Sequence, residues 1–206
     1  NMGTALKDKG MLDEAIDAIK KSILLNPNNA EAHSNMGNAL QKQGEIEASI
    51  EAYNKSMSLN PDYPETHKNL GLALLQTDRV KQGLEEYEWR WKTSVFLPNR
   101  RQFSQPMWNG KVSLKDKTIL LWSEQGIGDT MNWSSCLSLV TSRAKHVILE
   151  CQEKLVPLLS RSFPNVEVKA QDRSLDAERD DFDLHLPMGS LYKHFIDCLL
   201  YTSPSP

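Results

Sequence analysis

The small and apolar positions in the first part of the chain recur at helical spacing, and the pattern repeats every 34 residues. Four positions keep their residue type in three copies: Asn1, Asn35 and Asn69; Gly3, Gly37 and Gly71; Ala5, Ala39 and Ala73; Leu6, Leu40 and Leu74. In the second copy the spacing predicts a helix over 30–43, a turn closed by Gly44, and a helix over 46–59. We therefore expect stacked antiparallel helix pairs, with a degenerate third copy in which Asp78 replaces the turn glycine.

The second part of the chain changes to short apolar runs of strand length. These runs alternate with segments of helical spacing, and the first such helix is predicted to begin at Asp129. Strands are predicted over 118–122, 146–150, 166–169 and 182–186, and a further helix over 154–161. This alternation is typical of a parallel, doubly wound sheet, in which ligands bind at the carboxyl ends of the strands. The residues after Trp122 and those around His185 are predicted to lie at that edge.

These patterns divide the chain into four segments. Residues 1–93 are predicted to form the helical array, and 117–197 the α/β layer. The segment 94–116 is rich in Pro, Asn and Gly and is predicted to be a linker. Residues 198–206 differ in character from the rest and are expected to be a non-native tail. Because the first helix also begins inside a repeat, we expect the chain to be a fragment of a longer protein.

Composition narrows the possible functions. The net charge of −3 gives no basic surface for nucleic acid, and no apolar run is long enough to span a membrane. The three cysteines, Cys136, Cys151 and Cys198, match neither metal-ligand spacing nor an even disulfide set. The sequence therefore predicts a cytoplasmic protein without a metal site.

The 34-residue period, with the Asn-Pro steps at 26–27 and 60–61, resembles tetratricopeptide (TPR) arrays. The resemblance implies a groove that binds a protein or peptide partner. The amides of Asn1, Asn35 and Asn69 resemble the asparagine ladder in the TPR superhelix of protein O-GlcNAc transferases, which implies binding of extended peptide backbone. Alternatively, each amide only bonds to the backbone of a neighbouring repeat.

The loop Gly126-Ile127-Gly128-Asp129 carries the candidate chemistry. Met131 occupies the place where a dinucleotide fingerprint needs a small residue, and no Gly-Lys-Ser/Thr step marks a phosphate-binding loop. The carboxylate of Asp129 also disfavours an anion at the start of the following helix. Asp129 is therefore either a general base for an incoming hydroxyl or a helix N-cap.

A second resemblance covers about residues 84–192. The segment KTILLWSEQGIGDT at 117–130, with VILECQ at 147–152 and FDLHLP at 182–187, resembles bacterial proteins that join TPR arrays to a GT-B glycosyltransferase domain. The step Gly128-Asp129 is similar to the start of heptosyltransferases, in which the matching aspartate is the proposed base.

This second resemblance implies an α plus α/β chain: a TPR solenoid followed by a partial Rossmann-like sheet, the acceptor-side half of a GT-B fold. Asp129 would be the base, Gly126 and Gly128 would shape its loop, and His185 is a lesser candidate. The fragment would bind the sugar acceptor but no cofactor. The nucleotide-sugar donor would bind a second half beyond residue 197, so the fragment would not turn over.

Two other functions compete with this prediction. The chain could be a TPR scaffold whose second domain has lost its chemistry and only binds. A nucleotide-dependent oxidoreductase is the third possibility, and the missing third glycine of the fingerprint disfavours it.

Overall fold

The computed structural model describes residues 2–174 and 176–201 and divides the chain into two compact units, with the boundary between Pro98 and Asn99. Within the described residues, no helix is long and apolar enough to cross a membrane. The same part of the chain contains no group of three or more His, Cys, Asp or Glu side chains placed to hold a metal ion.

The first unit is helical, as the 34-residue period predicts. Its helices are α1 (Met2–Leu25), α2 (Ala30–Gln43), α3 (Ile46–Leu59), α4 (Pro64–Leu74) and α5 (Val80–Tyr87), followed by a 3₁₀ turn over Glu88–Lys92. Gly44 ends α2 in the left-handed region, with φ of 86°, where glycine is the favoured residue. The helices α2 and α3 form one repeat, and α4 and α5 form the next.

One element differs from the repeat pattern. The second repeat turns at Gly44, whereas the equivalent Gly10 lies inside the continuous helix α1. A glycine within a helix costs only about 1 kcal/mol relative to alanine, so it permits a turn without forcing one. Residues 2–25 therefore form one long helix and not a helix pair.

A small core and a chain of hydroxyl groups hold the first unit together. Tyr53 is fully buried with Ile50, Leu70, Ala73 and Leu74. Deeper between the helices, the Thr66 hydroxyl donates to the Ser34 hydroxyl at 2.9 Å, and the Ser56 hydroxyl donates to the carbonyl of Ala30 at 2.7 Å. These bonds satisfy polar groups that would otherwise be costly to bury.

The second unit contains a four-stranded sheet in which every neighbouring pair is parallel. The strands are β1 (Thr118–Trp122), β2 (His146–Cys151), β3 (Glu167–Ala170) and β4 (Leu184–Pro187), in the order β3-β2-β1-β4. The central strand β1 is buried, and its Leu120 is opposite Ile148 of β2 and His185 of β4. An α plus α/β fold with a small parallel sheet is thereby confirmed.

The described residues of the second unit include four α-helices, and the helix that the sequence predicts after β1 is divided into two of them. They are α6 (Ile127–Trp133), α7 (Leu137–Thr141), α8 (Val156–Ser162) and α9 (Leu191–Tyr201). A 3₁₀ turn over Ser134–Cys136 separates α6 from α7. The hydroxyl groups of Ser134 and Ser135 donate to the carbonyls of Met131 and Asn132, three residues earlier, and such bonds compete with regular helix.

The segment 99–116, most of the predicted linker, packs into the second unit. The main chain of Trp108 donates to the carbonyl of His185 at 2.9 Å, and that of His185 donates to the carbonyl of Pro106 at 3.3 Å. The side chains of Trp108 and Leu114 are buried in the core of the sheet. This segment therefore extends the sheet beside β4.

Candidate functional site

The predicted asparagine ladder of the first unit has two members in the described residues, and Asn1 lies outside them. Asn35 is exposed on α2, and its side chain makes no hydrogen bond with the described residues. Asn69 is half-buried on α4, and its amide donates to the Oδ1 atom of Asn38 at 2.8 Å. Asn69 thus bonds to a side chain of the preceding repeat, whereas the amide of Asn35 has no such bond within the described part of the chain.

Asn38 is a polar residue of this face that the repeat pattern misses. Its Oδ1 atom accepts from the Asn69 amide and lies 2.8 Å from the Tyr53 hydroxyl, whose single proton is shared with the Oε1 atom of Gln41 at 3.0 Å. The oxygen is therefore occupied, and the amide nitrogen remains as a donor. The equivalent positions in the other copies hold Thr4 and Leu72, so no repeated residue type marked this place. We call Asn35, Asn38 and Asn69 the amide face.

The loop after β1 has a different geometry from the one predicted. The helix α6 begins at Ile127, after Gly126 in extended conformation. Asp129 is therefore the third helical residue, and the prediction that it opens the helix is wrong. Its Oδ2 atom accepts from the Gly126 main-chain N–H at 3.1 Å, which satisfies a donor that the extended main chain leaves open. The side chain of Asp129 is exposed.

The two glycines of the loop differ in the space around them. Neither has a positive φ, so the loop does not depend on left-handed backbone. A Cβ atom at Gly126 would lie 3.3 Å from the Oδ2 atom of Asp129, whereas a Cβ atom at Gly128 would meet no atom within 4 Å. Of the two, only Gly126 lies so close to the carboxylate of Asp129 that a side chain there would be crowded.

Residues 123–126, which we call the β1 loop, are held by hydrogen bonds to residues that follow the other three strands. The amide of Gln171, one residue past β3, donates to the Ser123 carbonyl at 2.9 Å. The amide of Gln152, one residue past β2, donates to the Gln125 carbonyl at 2.5 Å. The buried carboxylate of Glu124 accepts from the Gly189 N–H, which follows β4, at 3.1 Å. The loop is thus tied to the ends of three other strands.

His185 lies inside β4 and not at an open edge. Its Nδ1 atom accepts from the Trp122 indole at 3.3 Å, and only 5% of the residue is exposed. Burial, with the nearby positive charges of Arg100 and Arg101 as smaller causes, lowers the pKa of His185 to about 4. The imidazole is therefore neutral at pH 7 and packs as a core residue, so it is poorly placed to exchange protons with an acceptor.

A buried cluster of charged side chains lies near the carboxyl end of β2. Arg101 is 4% exposed and donates to Glu150 of β2 at 2.5 Å and to Asp176. Glu150 also accepts from Arg179. A cavity of about 410 Å³ lies beside this cluster and is lined by Glu150, Lys169, Ala170, Asp172, Glu178, Arg179, Asp180 and Asp181. Because every charge of Glu150 and Arg101 is paired, the cluster holds the segment around Asp176 to β2.

One comparison with known proteins concerns the first unit. A TPR repeat family model matches residues 3–44 and 42–78. No curated protein sequence matches the chain.

Solved structures resemble about half of the chain. A structure described as "Crystal structure of MamA" is 28% identical, with a TM-score of 0.39, over 47% of this chain and 55% of that chain. "First TPR of Spaghetti (RPAP3) bound to HSP90 peptide SRMEEVD" is 22% identical, with a TM-score of 0.40, over 48% of this chain and 76% of that chain. The chain thus spans about half the length of the MamA structure. The family model and the helix pairs α2–α3 and α4–α5 together show that the first unit contains TPR repeats.

Proposed function

We propose that the first unit binds an extended polypeptide along the amide face. The observation that carries this proposal is the pairing of Asn38 with Asn69 across two consecutive TPR repeats, beside the exposed Asn35. An extended peptide presents alternating N–H and C=O groups, and amide side chains can pair with both without reading the peptide sequence. The amide of Asn69 supports this role because it donates to the Asn38 oxygen, so the N–H groups of Asn38 are the part of that amide proposed to bind the ligand.

Peptide binding is tested with a fluorescent peptide selected on the wild-type chain from a random peptide library. Changing Asn35 and Asn69 together to alanine should weaken binding roughly thirtyfold, since two lost hydrogen bonds at about 1 kcal/mol each amount to about 2 kcal/mol. Asn54→Ala is the matched control, because Asn54 is exposed on α3, the second helix of the same repeat. Equal affinities for the two variants, or a library that yields no binding peptide, would contradict the proposal.

Thermal unfolding separates binding from folding in this experiment. Asn35→Ala should leave the melting temperature unchanged, because the side chain is exposed and makes no hydrogen bond with the described residues. Asn69→Ala should lower the free energy of unfolding by about 1 kcal/mol, since it removes the bond to Asn38. A loss of stability with unchanged affinity would make the amide face purely structural.

For the second unit we propose the acceptor-side half of a sugar-nucleotide-dependent glycosyltransferase. The supporting observation is the exposed carboxylate of Asp129, on the helix that follows a central parallel strand. One oxygen of this carboxylate is held by Gly126, and the other makes no hydrogen bond with the described residues. Carboxyl ends of parallel strands are the usual place for ligands in such sheets.

In the proposed reaction, Asp129 takes the proton from an acceptor hydroxyl. The hydroxyl oxygen forms a bond to the anomeric carbon of the donor sugar as the bond from that carbon to the phosphate oxygen breaks. The nucleoside diphosphate leaves with the electron pair. Donor binding belongs, in this proposal, to a second Rossmann-like half beyond residue 197.

Asp129→Asn tests this reaction in a protein that also contains the proposed donor-binding half, with nucleotide sugars as donors. The asparagine oxygen can still accept from the Gly126 N–H, so only the proton acceptor is lost. A positioned general base contributes about 10²–10⁴-fold to the rate, and we expect a fall in kcat of that size. The control is Asp116→Asn, which removes an exposed carboxylate before β1, at the opposite end of the strand.

A fall of less than about tenfold would leave Asp129 as a capping residue and favour the alternative, a non-catalytic TPR scaffold.

A further inference from the structure

We infer that Gln152 and Gln171 are positioning residues that fix the main chain of the β1 loop and, through it, the carboxylate of Asp129. The inference rests on the proposed role of Asp129 in the second unit. Two main-chain carbonyls of this four-residue loop accept hydrogen bonds from side chains of other elements.

Gln171 reaches the loop from a strand that is not its neighbour. In the order β3-β2-β1-β4, two inter-strand spacings separate β3 from β1, which is about 10 Å. The main chain of Gln171 is fixed by its N–H bond to the carbonyl of Cys151 at 2.9 Å. From this position its side chain extends past the end of β2 and donates to the carbonyl of Ser123 at 2.9 Å. The start of the loop therefore keeps a fixed distance from β3.

Gln152 joins the loop to the helix that follows it. Its Nε2 atom donates to the carbonyl of Gln125, and its Oε1 atom lies 3.2 Å from the Thr130 hydroxyl. That hydroxyl also lies 3.1 Å from the carbonyl of Gly126, and its single proton serves one acceptor at a time. One amide group thus contacts the main chain on one side of Gly126 and a side chain of α6 on the other.

The position of Asp129 depends on this arrangement because its Oδ2 atom is bonded to the N–H of Gly126. Gly126 directly follows Gln125, whose carbonyl Gln152 holds. A displacement of the loop main chain would therefore displace the bonded oxygen of Asp129. Errors of about 1 Å in the placement of a reacting group can cost about 10²-fold in rate.

Amide hydrogen exchange of the ¹⁵N-labelled chain, followed by NMR, tests the inference without a substrate. In the variant that carries both Gln152→Met and Gln171→Met, the N–H groups of Gly126 and Thr130 should exchange at least about tenfold faster, because two bonds that hold the loop are lost. Their signals should also shift or broaden. The N–H groups of β1 and β2 should keep their exchange rates.

Gln105→Met is the matched control. Gln105 is also half-buried in the second unit and donates to a main-chain carbonyl, that of Arg179, at 2.6 Å. This change should leave Gly126 and Thr130 unaffected.

Unchanged exchange at Gly126 and Thr130 in the double variant would overturn the inference. Equally faster exchange in the loop and in β1 and β2 would also overturn it, because the glutamines would then stabilise the whole unit and not the loop. The exchange result does not depend on transferase activity. If Asp129→Asn leaves transfer intact while the loop exchanges faster, the proposed reaction fails and the positioning of the loop holds.

Discussion

Acidification should destabilise the second unit through His185. The residue is 5% exposed, and burial, with Arg100 and Arg101 as further causes and Asp176 opposing them, lowers its pKa from 6.5 to about 4. Below pH 6.5 the unfolded chain binds a proton at this imidazole, which the folded chain binds only near pH 4. The free energy of unfolding therefore falls as the pH drops through this interval. At about 1.4 kcal/mol for each pKa unit, the loss amounts to about 3 kcal/mol.

His185→Gln removes the titration and keeps an acceptor for the Trp122 indole, which donates to Nδ1 in the wild type. Urea denaturation, followed through NMR signals of the second unit, gives the free energy of unfolding at pH 6.5 and pH 4. The wild type should lose about 3 kcal/mol more than the variant over this interval. Carboxylates whose pKa is lowered by hydrogen bonds, such as Asp181 beside Arg179, contribute equally to both proteins and cancel.

Parallel pH profiles of the two proteins would refute this reasoning. A ring signal of His185 that titrates near pH 6.5 in the folded protein would refute it as well, because the imidazole would then be solvated.

Two further predictions concern stability. Gly37→Ala should lower the free energy of unfolding of the first unit by about 1–3 kcal/mol, because the new Cβ atom would lie 2.5 Å from the ring of the fully buried Tyr53. Thermal unfolding measures this loss, and Gly128→Ala is the control because its new Cβ atom would meet no atom within 4 Å. Equal melting temperatures of the two variants would contradict the prediction. Arg101→Met should cost the second unit about 3–5 kcal/mol, because Glu150 and Asp176 lose a buried cation. Urea denaturation measures that loss, and a cost below about 1 kcal/mol would contradict it.

The elements that a local pattern specifies could be predicted from the sequence. The period that aligns Gly37 with Gly71 predicts α2 to α4, and apolar runs such as the one ending at Trp122 predict all four strands to within two residues at each end. These helices and strands are determined by residues that are close together in the sequence, so a local pattern is enough to predict them.

The contacts that depend on distant residues could not be predicted. Asn38 and Asn69 are 31 residues apart, and Gln171 and Ser123 are 48 residues apart, so no local spacing links them. The burial of His185 also depends on distant residues, since its ring packs near those of Phe103 and Trp122. Aspartate is common at a helix start, which favours a helix beginning at Asp129, whereas in the structure the helix begins at Ile127, after the extended main chain of Gly126.

The two edges of the sheet determine where the second unit can begin, if it is produced alone, without exposing an unpaired strand. An open, flat strand edge invites pairing with another molecule and leads to aggregation. Here the edge beside β4 is occupied by residues 106–108, and the edge at β3 has only four residues, with the charged Glu167 and Lys169 exposed. A second unit produced alone from a start after Trp108 would expose the main chain of β4, so its production should begin before this segment, at the natural boundary after Pro98.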